Sequence, residues 1–123
     1  MPIRYNFDKQ SELVIVVATG FVSVGDRRAL VDLLINDNSL PEIVPVLIDV
    51  TRIVNQPSPN DVKMMSILVE VILRRFKAKV AYYVVQPGFV TPYILATLQA
   101  DCDSSKIQTF MDYEEALSWL VSN

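Results

Sequence analysis

The sequence contains no histidine among its 123 residues. Histidine is the commonest metal ligand in proteins and the side chain that most often acts as a general base near neutral pH. Its absence removes the imidazole metal centres and the usual proton-transfer chemistry. No other catalytic constellation is visible, so we expect a protein that is not an enzyme and holds no metal or cofactor.

Cysteine, basic clusters and long apolar runs are also scarce. Cys102 is the single cysteine and cannot form an intrachain disulfide, which favours a reducing cytoplasm. The 11 basic residues are outnumbered by 14 acidic ones, and the net charge of −3 disfavours nucleic acid as a partner. No apolar run reaches the ~20 residues that span a bilayer. The first residues lack the pattern of a secretory signal, so we expect a cytoplasmic protein without a transmembrane segment.

Hydrophobic residues, by contrast, make up 51% of the chain. That fraction and the chain length fit a single domain, residues 1–123, with one core. Short β-branched runs alternate with segments of helical periodicity, which indicates an α/β fold with a mixed, mainly parallel five-stranded sheet and four helices. The predicted strands are Ile3–Phe7, Leu13–Thr19, Val46–Val50, Lys79–Val85 and Ile107–Phe110. The predicted helices follow Ser23, Ser58, Thr91 and Asp112, and the third of them covers Tyr93–Ala100.

The four helix starts share a capping pattern. A serine, threonine or aspartate stands at each N-cap position, and an acid or a proline follows in the first turn. The first two strands are joined by a short turn and should form an antiparallel hairpin, whereas strands joined by helices should pair in parallel. All the helix starts should then lie at the carboxyl edge of the sheet, where open α/β sheets usually place their sites. The basic segment Arg74–Lys79 is typical of a solvated helix end that complements its dipole.

The second helix, within Ser58–Lys77, is too apolar for a surface helix. Four polar residues form one narrow stripe on the helical wheel, and apolar side chains cover nearly all the rest. The four are Ser66, Glu70, Arg74 and Lys77. The surplus apolar surface predicts burial under flanking helices, a subunit or partner interface, or a site for an apolar ligand. The residues that carry this surplus are Met64, Met65, Ile67, Leu68 and Val71.

Several short motifs are spread over essentially the whole chain. They are Gly20 after the second strand, Leu47-Ile48-Asp49-Val50, Lys79-Val80-Ala81, and the ending Phe110-x-Asp112-x-Glu114-Glu115-Ala116-x-x-Trp119-Leu120. With the element order β-β-α-β-α-β-α-β-α, they resemble the SpoIIAA-like group of STAS domains. The resemblance implies a mixed sheet with helices layered on it as a βα superhelix. In function it implies a small, non-enzymatic regulatory or binding module.

Ser58 lies where that resemblance places a regulatory serine. In bacterial anti-sigma-factor antagonists, a serine at the start of the helix after the Asp-containing strand is phosphorylated by a partner kinase. This chain reads Gln56-Pro57-Ser58-Pro59 in place of a D-S-S-G-like segment, and it looks closer to the uncharacterised SpoIIAA-like branch, sometimes grouped with lipid-binding SEC14-like domains. The residue chemistry gives two interpretations, a helix N-cap and a phosphosite at a helix N-terminus.

A second group of candidate residues lies near the carboxyl ends of the middle and fourth strands. Asp49 is interpreted as a local hydrogen-bond acceptor for loop amides, because the acidic pair that a phosphate-accepting receiver needs is missing. The aromatic residues either pack in the core or form a pocket wall with tyrosine hydroxyls as polar handles. Strand alternation puts Tyr82 and Tyr83 on opposite faces of the sheet. The candidate pocket edge is Asp49, Thr51, Tyr83, Phe89 and Tyr93.

Three functions are compatible with these patterns. The leading hypothesis is a regulatory protein–protein interaction module that works as a homodimer, with a possible regulatory protein partner. The second is a binder of a lipid or other apolar small molecule through a SEC14-like pocket. The third is a switch of the anti-sigma-factor-antagonist type that is phosphorylated at Ser58.

Overall fold

The computed structural model describes residues 2–55, 58–85 and 105–122. Within those ranges the strands are β1 (Ile3–Asp8), β2 (Leu13–Gly20), β3 (Val46–Ile53), β4 (Val80–Tyr83) and β5 (Ile107–Phe110). The helices in the same ranges are α1 (Val24–Ile35), α2 (Pro59–Phe76) and α3 (Tyr113–Val121). The helix predicted at Tyr93–Ala100 and the single cysteine, Cys102, lie outside the described residues.

The five strands form one mixed sheet, as predicted. Their order in space is β1-β2-β3-β4-β5. The β1–β2 pair is antiparallel, and the β2–β3, β3–β4 and β4–β5 pairs are parallel. The predicted end of β3 at Val50 is too early, because β2 continues to pair with β3 as far as Gly20 opposite Ile53. A register shift between Val17 and Thr19 allows this extension.

The two faces of the sheet carry separate layers of the core, because side chains alternate along each strand. Helices α1 and α2 cover one face and α3 covers the other. The sheet residues under α1 and α2 include Val14, Val16, Val46, Ile48 and Tyr82. Those on the α3 side include Leu13, Leu47, Ala81 and the half-buried Tyr83. Tyr82 and Tyr83 therefore lie on opposite faces, as the strand alternation predicts.

The predicted helix caps are confirmed for the three described helices. The Ser23 hydroxyl accepts a hydrogen bond from the Asp26 N–H at 3.0 Å, and that of Ser58 accepts from the Asp61 N–H at 3.2 Å. Both acids also accept from the N–H of their capping serine, which completes two capping boxes. The Asp112 carboxylate caps α3. Each of these helices follows a parallel strand, so its amino terminus lies at the carboxyl edge of the sheet.

The polar stripe predicted for α2 is wrong at one position. Ser66 is only 1% exposed, and its hydroxyl donates to the Lys63 carbonyl at 2.8 Å. A serine whose hydroxyl is bonded within its own helix can be buried without leaving that group unsatisfied. Ile67 lies at the solvent surface instead, with 58% of its side chain exposed.

The basic segment after α2 is more than a solvated helix end. Arg75 donates to the carbonyls of Ile35 and Pro41 at 3.2 and 3.3 Å, which ties α2 to the end of α1. Lys79 donates to the carbonyls of Trp119 and Ser122 at 2.9 and 2.8 Å. Its cation therefore complements the carboxyl end of α3, a helix that is distant in sequence.

Within residues 2–55, 58–85 and 105–122, no helix has the length and apolar character that crossing a bilayer requires.

Candidate functional site

An apolar cavity of about 40 Å³ lies between α1, α2 and the face of the sheet that they cover. Aliphatic side chains form most of its wall. Among them are Ala18 of β2, Ile48 of β3, Leu30 of α1, and Met65 and Leu68 of α2. Cavities with such walls stay dry and bind apolar groups, so this cavity is a candidate site for an apolar small molecule.

Among the described residues, Arg27 is the single charged one in the cavity wall. It precedes Leu30, Val31 and Leu34 at helical spacing, so it belongs to the buried face of α1. The sequence analysis missed Arg27, although a cation at the head of an i, i+3, i+4, i+7 apolar stripe is a usable signal. Long cationic side chains can line apolar surface with their methylenes while the charged end stays near water.

The Arg27 guanidinium has few partners within the described residues. Its Nη1 donates to the Val22 carbonyl at 3.5 Å, a long hydrogen bond. Within residues 2–55, 58–85 and 105–122, no carboxylate lies within ion-pair distance of the Arg27 guanidinium. The neighbouring Asp26 is engaged by Ser23, and the hydrogen bonds from Ser23 hold the pKa of the Asp26 carboxyl below its usual value of 3.8. Most of the guanidinium's donors are therefore open.

Asn55 is a second residue that the sequence analysis missed. Its side-chain amide donates to the Val22 carbonyl at 3.0 Å and accepts from the Val22 N–H at 2.9 Å. This pair of bonds joins the loop after β3 to the loop after β2 at the carboxyl edge of the sheet. It also fixes the Val22 carbonyl that Arg27 contacts. An asparagine beyond a strand end carries no pattern that would predict this contact.

The five α2 residues predicted as an interface or ligand surface divide into three groups. Met65, 5% exposed, and Leu68 line the cavity. Met64 and Val71 are half-buried on the same helical row as Leu68. Ile67 faces solvent. The apolar surplus of α2 is thus mostly absorbed by the cavity and the core, and Ile67 is the part that stays uncovered.

Ile67 lies in a row of residues on the solvent side of α2. Lys63 precedes it by one helical turn, and Glu70 and Arg74 follow it. Glu70 and Arg74, four residues apart, form an ion pair with Nε–Oε1 at 3.0 Å. Lys63 has no carboxylate within ion-pair distance in the described ranges. We call these four residues the α2 solvent row.

Three of the five predicted pocket-edge residues lie in the described ranges, and they are close together. Asp49 and Tyr83 are opposite each other in the β3–β4 register, so their side chains share the α3 face. The Asp49 carboxylate accepts from the N–H and hydroxyl of Thr51 at 2.9 and 2.7 Å, the local bonding that the sequence predicts. Phe89 and Tyr93 lie outside the described residues.

Tyr113 of α3 completes the aromatic part of this edge. Its ring contacts Tyr83 edge-on, with centroids 5.6 Å apart. Burial, followed by the negative charges of Asp8, Glu114 and Asp49, raises the pKa of the Tyr113 hydroxyl above its usual 10.0.

No group of three or more cysteine, aspartate or glutamate side chains in residues 2–55, 58–85 and 105–122 is placed to hold a metal ion.

Ser58 is exposed at the amino terminus of α2. Its N-cap role follows directly from the capping box with Asp61. A phosphate at this hydroxyl stays a prediction.

Comparison with known proteins identifies the architecture. No protein-family model matches the sequence, and no curated protein matches it significantly. Among solved structures, the chain is similar to an uncharacterized protein of the DUF3478 family from Shewanella loihica PV-4, described as having a SpoIIAA-like fold. The TM-score is 0.67 over 96% of this chain and 93% of that chain, at 16% sequence identity. The chain has a SpoIIAA-like fold.

The resemblance predicted from the sequence motifs is therefore confirmed for the fold. In this SpoIIAA-like chain, α2 is the helix that follows the Asp49-containing strand. It carries Ser58 at its amino terminus, Met65 and Leu68 in the cavity wall and Ile67 on the solvent row. The five residues predicted as an interface or ligand surface, Met64, Met65, Ile67, Leu68 and Val71, thus all belong to this one helix.

Proposed function

We propose that this SpoIIAA-like chain is a non-enzymatic regulatory interaction module that works as a cytoplasmic homodimer through the α2 solvent row. The observation that carries the proposal is Ile67, a large apolar residue that is 58% exposed on the longest described helix. Isolated exposed apolar residues are ordinary. Ile67 differs in its flanking charges, which have opposite signs on its two sides.

Those charges make the row self-complementary. In a two-fold symmetric dimer the same patch meets itself, so every contact occurs twice. If two copies of α2 pack antiparallel about Ile67, Lys63 of each copy comes beside Glu70 of the other. The otherwise unpaired Lys63 then gains a carboxylate, and Ile67 is covered by its own symmetry mate.

Charge reversal tests this arrangement. Lys63→Glu places like charges together at both ends of the dimer, and so does Glu70→Lys. We expect each variant to raise the dimer Kd by about tenfold or more, since two like-charge contacts replace two opposite ones. An equimolar mixture of the two variants restores both opposite-charge contacts and should form a heterodimer. Sedimentation equilibrium of each variant and of the mixture measures these constants.

The mixture also separates intermolecular from intramolecular effects. Glu70→Lys disrupts the Arg74 pair within its own helix, but mixing cannot repair that defect. A mixture that stays as weakly associated as its components contradicts the antiparallel α2 pairing. A wild-type chain that stays monomeric at about 1 mM, equivalent to less than about 4 kcal/mol of association free energy, contradicts the homodimer itself.

Ile67→Glu has a matched control on the other side of the sheet. Val121 of α3 is 65% exposed, and Val121→Glu adds the same charge at a similarly exposed apolar position. Only Ile67→Glu should dissociate the dimer. Equal weakening by both variants would indicate a general effect of net charge, which is already −3.

A second candidate function is the binding of an apolar small molecule, and the cavity between α1, α2 and the sheet favours it. Native mass spectrometry of the untagged protein, purified without detergent from its own host, tests this function. We expect an extra organic mass that disappears after extraction with solvent. Protein that carries no such mass, and that takes up no apolar compound when one is added, contradicts it.

A further inference from the structure

We propose that the cavity selects a short-chain carboxylate, with the alkyl tail among the aliphatic walls and the carboxylate on Arg27. This inference rests on the second candidate function, ligand binding, and names the chemical class of that ligand. It does not depend on the homodimer.

The size of the cavity limits the tail. One water molecule needs about 10–15 Å³ of cavity volume. The 40 Å³ of this cavity is therefore roughly three water volumes. That space holds about three or four carbon atoms of an alkyl tail. The long acyl chains of membrane lipids do not fit without displacing wall residues such as Leu68 or Ile72, which are packed in the core cluster.

The head group follows from Arg27. A guanidinium presents five donors in a planar fork that matches a carboxylate bidentately. Here its one described bond, to the Val22 carbonyl, is 3.5 Å long, beyond the 2.7–3.2 Å of ordinary N–H···O bonds. The remaining donors are free for a ligand. The first turn of α1, to which Arg27 belongs, adds the positive end of the helix dipole.

The surroundings favour a single negative charge over two. Asp26 is the sequence neighbour of Arg27, and its carboxylate is fixed in the α1 capping box. A doubly charged ligand gains one cation, Arg27, and has no second cation in the described wall for its other charge. In a monocarboxylate, the apolar tail can pack against the aliphatic wall while the carboxylate accepts hydrogen bonds from Arg27.

The test uses two ligands of equal chain length, pentanoate and 1-pentanol, and two arginines that are adjacent in sequence. Arg28 is exposed and absent from the cavity wall, so Arg28→Gln is the matched control for Arg27→Gln. Isothermal titration calorimetry of the wild-type chain should show pentanoate binding at least about tenfold more tightly than pentanol, as a charge-assisted hydrogen bond predicts. Arg27→Gln should abolish this preference, and Arg28→Gln should retain it.

Other results overturn distinct parts of the proposal. Equal affinities for pentanoate and pentanol in the wild-type chain would overturn the role of Arg27 but leave the apolar site intact. Binding of neither ligand at about 10 mM, a very weak affinity, would overturn the second candidate function and this inference with it. Loss of the preference in Arg28→Gln would show that charge alone, without position, accounts for it.

A cavity-filling variant locates the site. Ala18 is 1% exposed and lies in the wall, so Ala18→Val adds two methyl groups into the empty space. Both ligands should bind at least about tenfold more weakly to this variant, because the added methyl groups occupy the volume that the tail needs. Undiminished pentanoate binding to a folded Ala18→Val chain would overturn the placement of the tail.

Discussion

The hydroxyl of Ser58 serves the amino terminus of α2 as a hydrogen-bond acceptor. It is exposed, so a kinase could reach it, but its N-cap bond to Asp61 is part of the capping box. A phosphate adds about −1.5 to −2 charges at pH 7 next to the Asp61 carboxylate, which is already bound to the Ser58 N–H. Phosphorylation would therefore bring two negative groups together at the same helix end.

Ser58→Ala should lower the free energy of unfolding by about 1 kcal/mol, since alanine cannot accept the Asp61 N–H. Ser58→Asp should retain most of the stability, because aspartate is an equally good N-cap residue. Ser118→Ala, at an exposed position within α3, is the control and should change stability by less than about 0.5 kcal/mol. Urea denaturation measures all three. A Ser58→Ala chain as stable as the wild type would show that the capping box contributes little.

The carboxyl end of α3 is bonded by Lys79, a lysine that is distant from this helix in sequence. Lys79 immediately precedes β4, and its ammonium group bonds the Trp119 and Ser122 carbonyls and lies 5.0 Å from the Trp119 ring centroid. The last carbonyls of a helix have no partners within it. Lys79 supplies such partners from across the fold and so fixes where α3 ends.

Lys79→Met should lower the free energy of unfolding by about 1–2 kcal/mol, because it removes charge-assisted bonds to helix-terminal carbonyls while keeping the aliphatic stem. The last turn of α3 should also exchange its amide hydrogens faster. Lys77→Met is the control, since Lys77 makes only a mostly exposed ion pair with Glu42, and such pairs contribute about 0–1 kcal/mol. Equal losses in the two variants would contradict the role of Lys79 at α3.

The starts of these elements could be predicted from the sequence, and some of their ends and exposed sides could not. The capping boxes at Ser23 and Ser58 involve residues three apart, so local chemistry determines them. The end of β3 depends on how far β2 accompanies it, and the burial of Ser66 depends on what packs around α2. Both are properties of the tertiary structure, which helical and strand periodicity do not contain.

The candidate site shows the same division. Periodicity identified α2 as the helix with surplus apolar surface, and Met65 and Leu68 line the cavity. It did not separate Ile67, which faces solvent, from the buried apolar residues, because Ile67 was counted with the apolar surplus of the helix. Arg27 was identifiable from its spacing to Leu30 and Leu34. The pairing of Asn55 with Val22 required the folded loops.

Hydrogen-bonded acids and half-buried tyrosines set the pH range over which the whole molecule is stable. The Tyr5 hydroxyl donates to the Asp37 carboxylate at 2.8 Å, which joins β1 to the segment after α1. Burial and then Asp37 raise the pKa of Tyr5 above 10.0, as burial also does for Tyr113. Hydrogen bonds from Ser39 and Tyr5 hold the pKa of Asp37 below 3.8, and Lys77 lowers that of Glu42 below 4.5.

These shifts predict a broad plateau of stability with two declining limbs. A carboxyl whose pKa is lower in the folded state stabilises the fold above its unfolded pKa, so stability should fall as the pH drops below about 4. A tyrosine whose pKa is raised by folding stabilises the fold below its unfolded pKa, so stability should fall as the pH rises above about 10. Urea denaturation from pH 3 to 11 measures both limbs. Tyr113→Phe should flatten the alkaline limb, and an unchanged slope in that variant would contradict the assignment.

The spatial order of the strands, β1 to β5, is the same as their order along the chain. Each strand therefore pairs with the strand that was synthesised just before it, and no later segment has to insert between strands that are already paired. Sheets of this kind can grow at one edge while the chain leaves the ribosome. Partners that are close in sequence shorten the conformational search, since folding rates fall as contacts become more distant along the chain. The antiparallel β1–β2 hairpin is the first strand pair to be synthesised in full, and each later strand has its place at the same growing edge of the sheet.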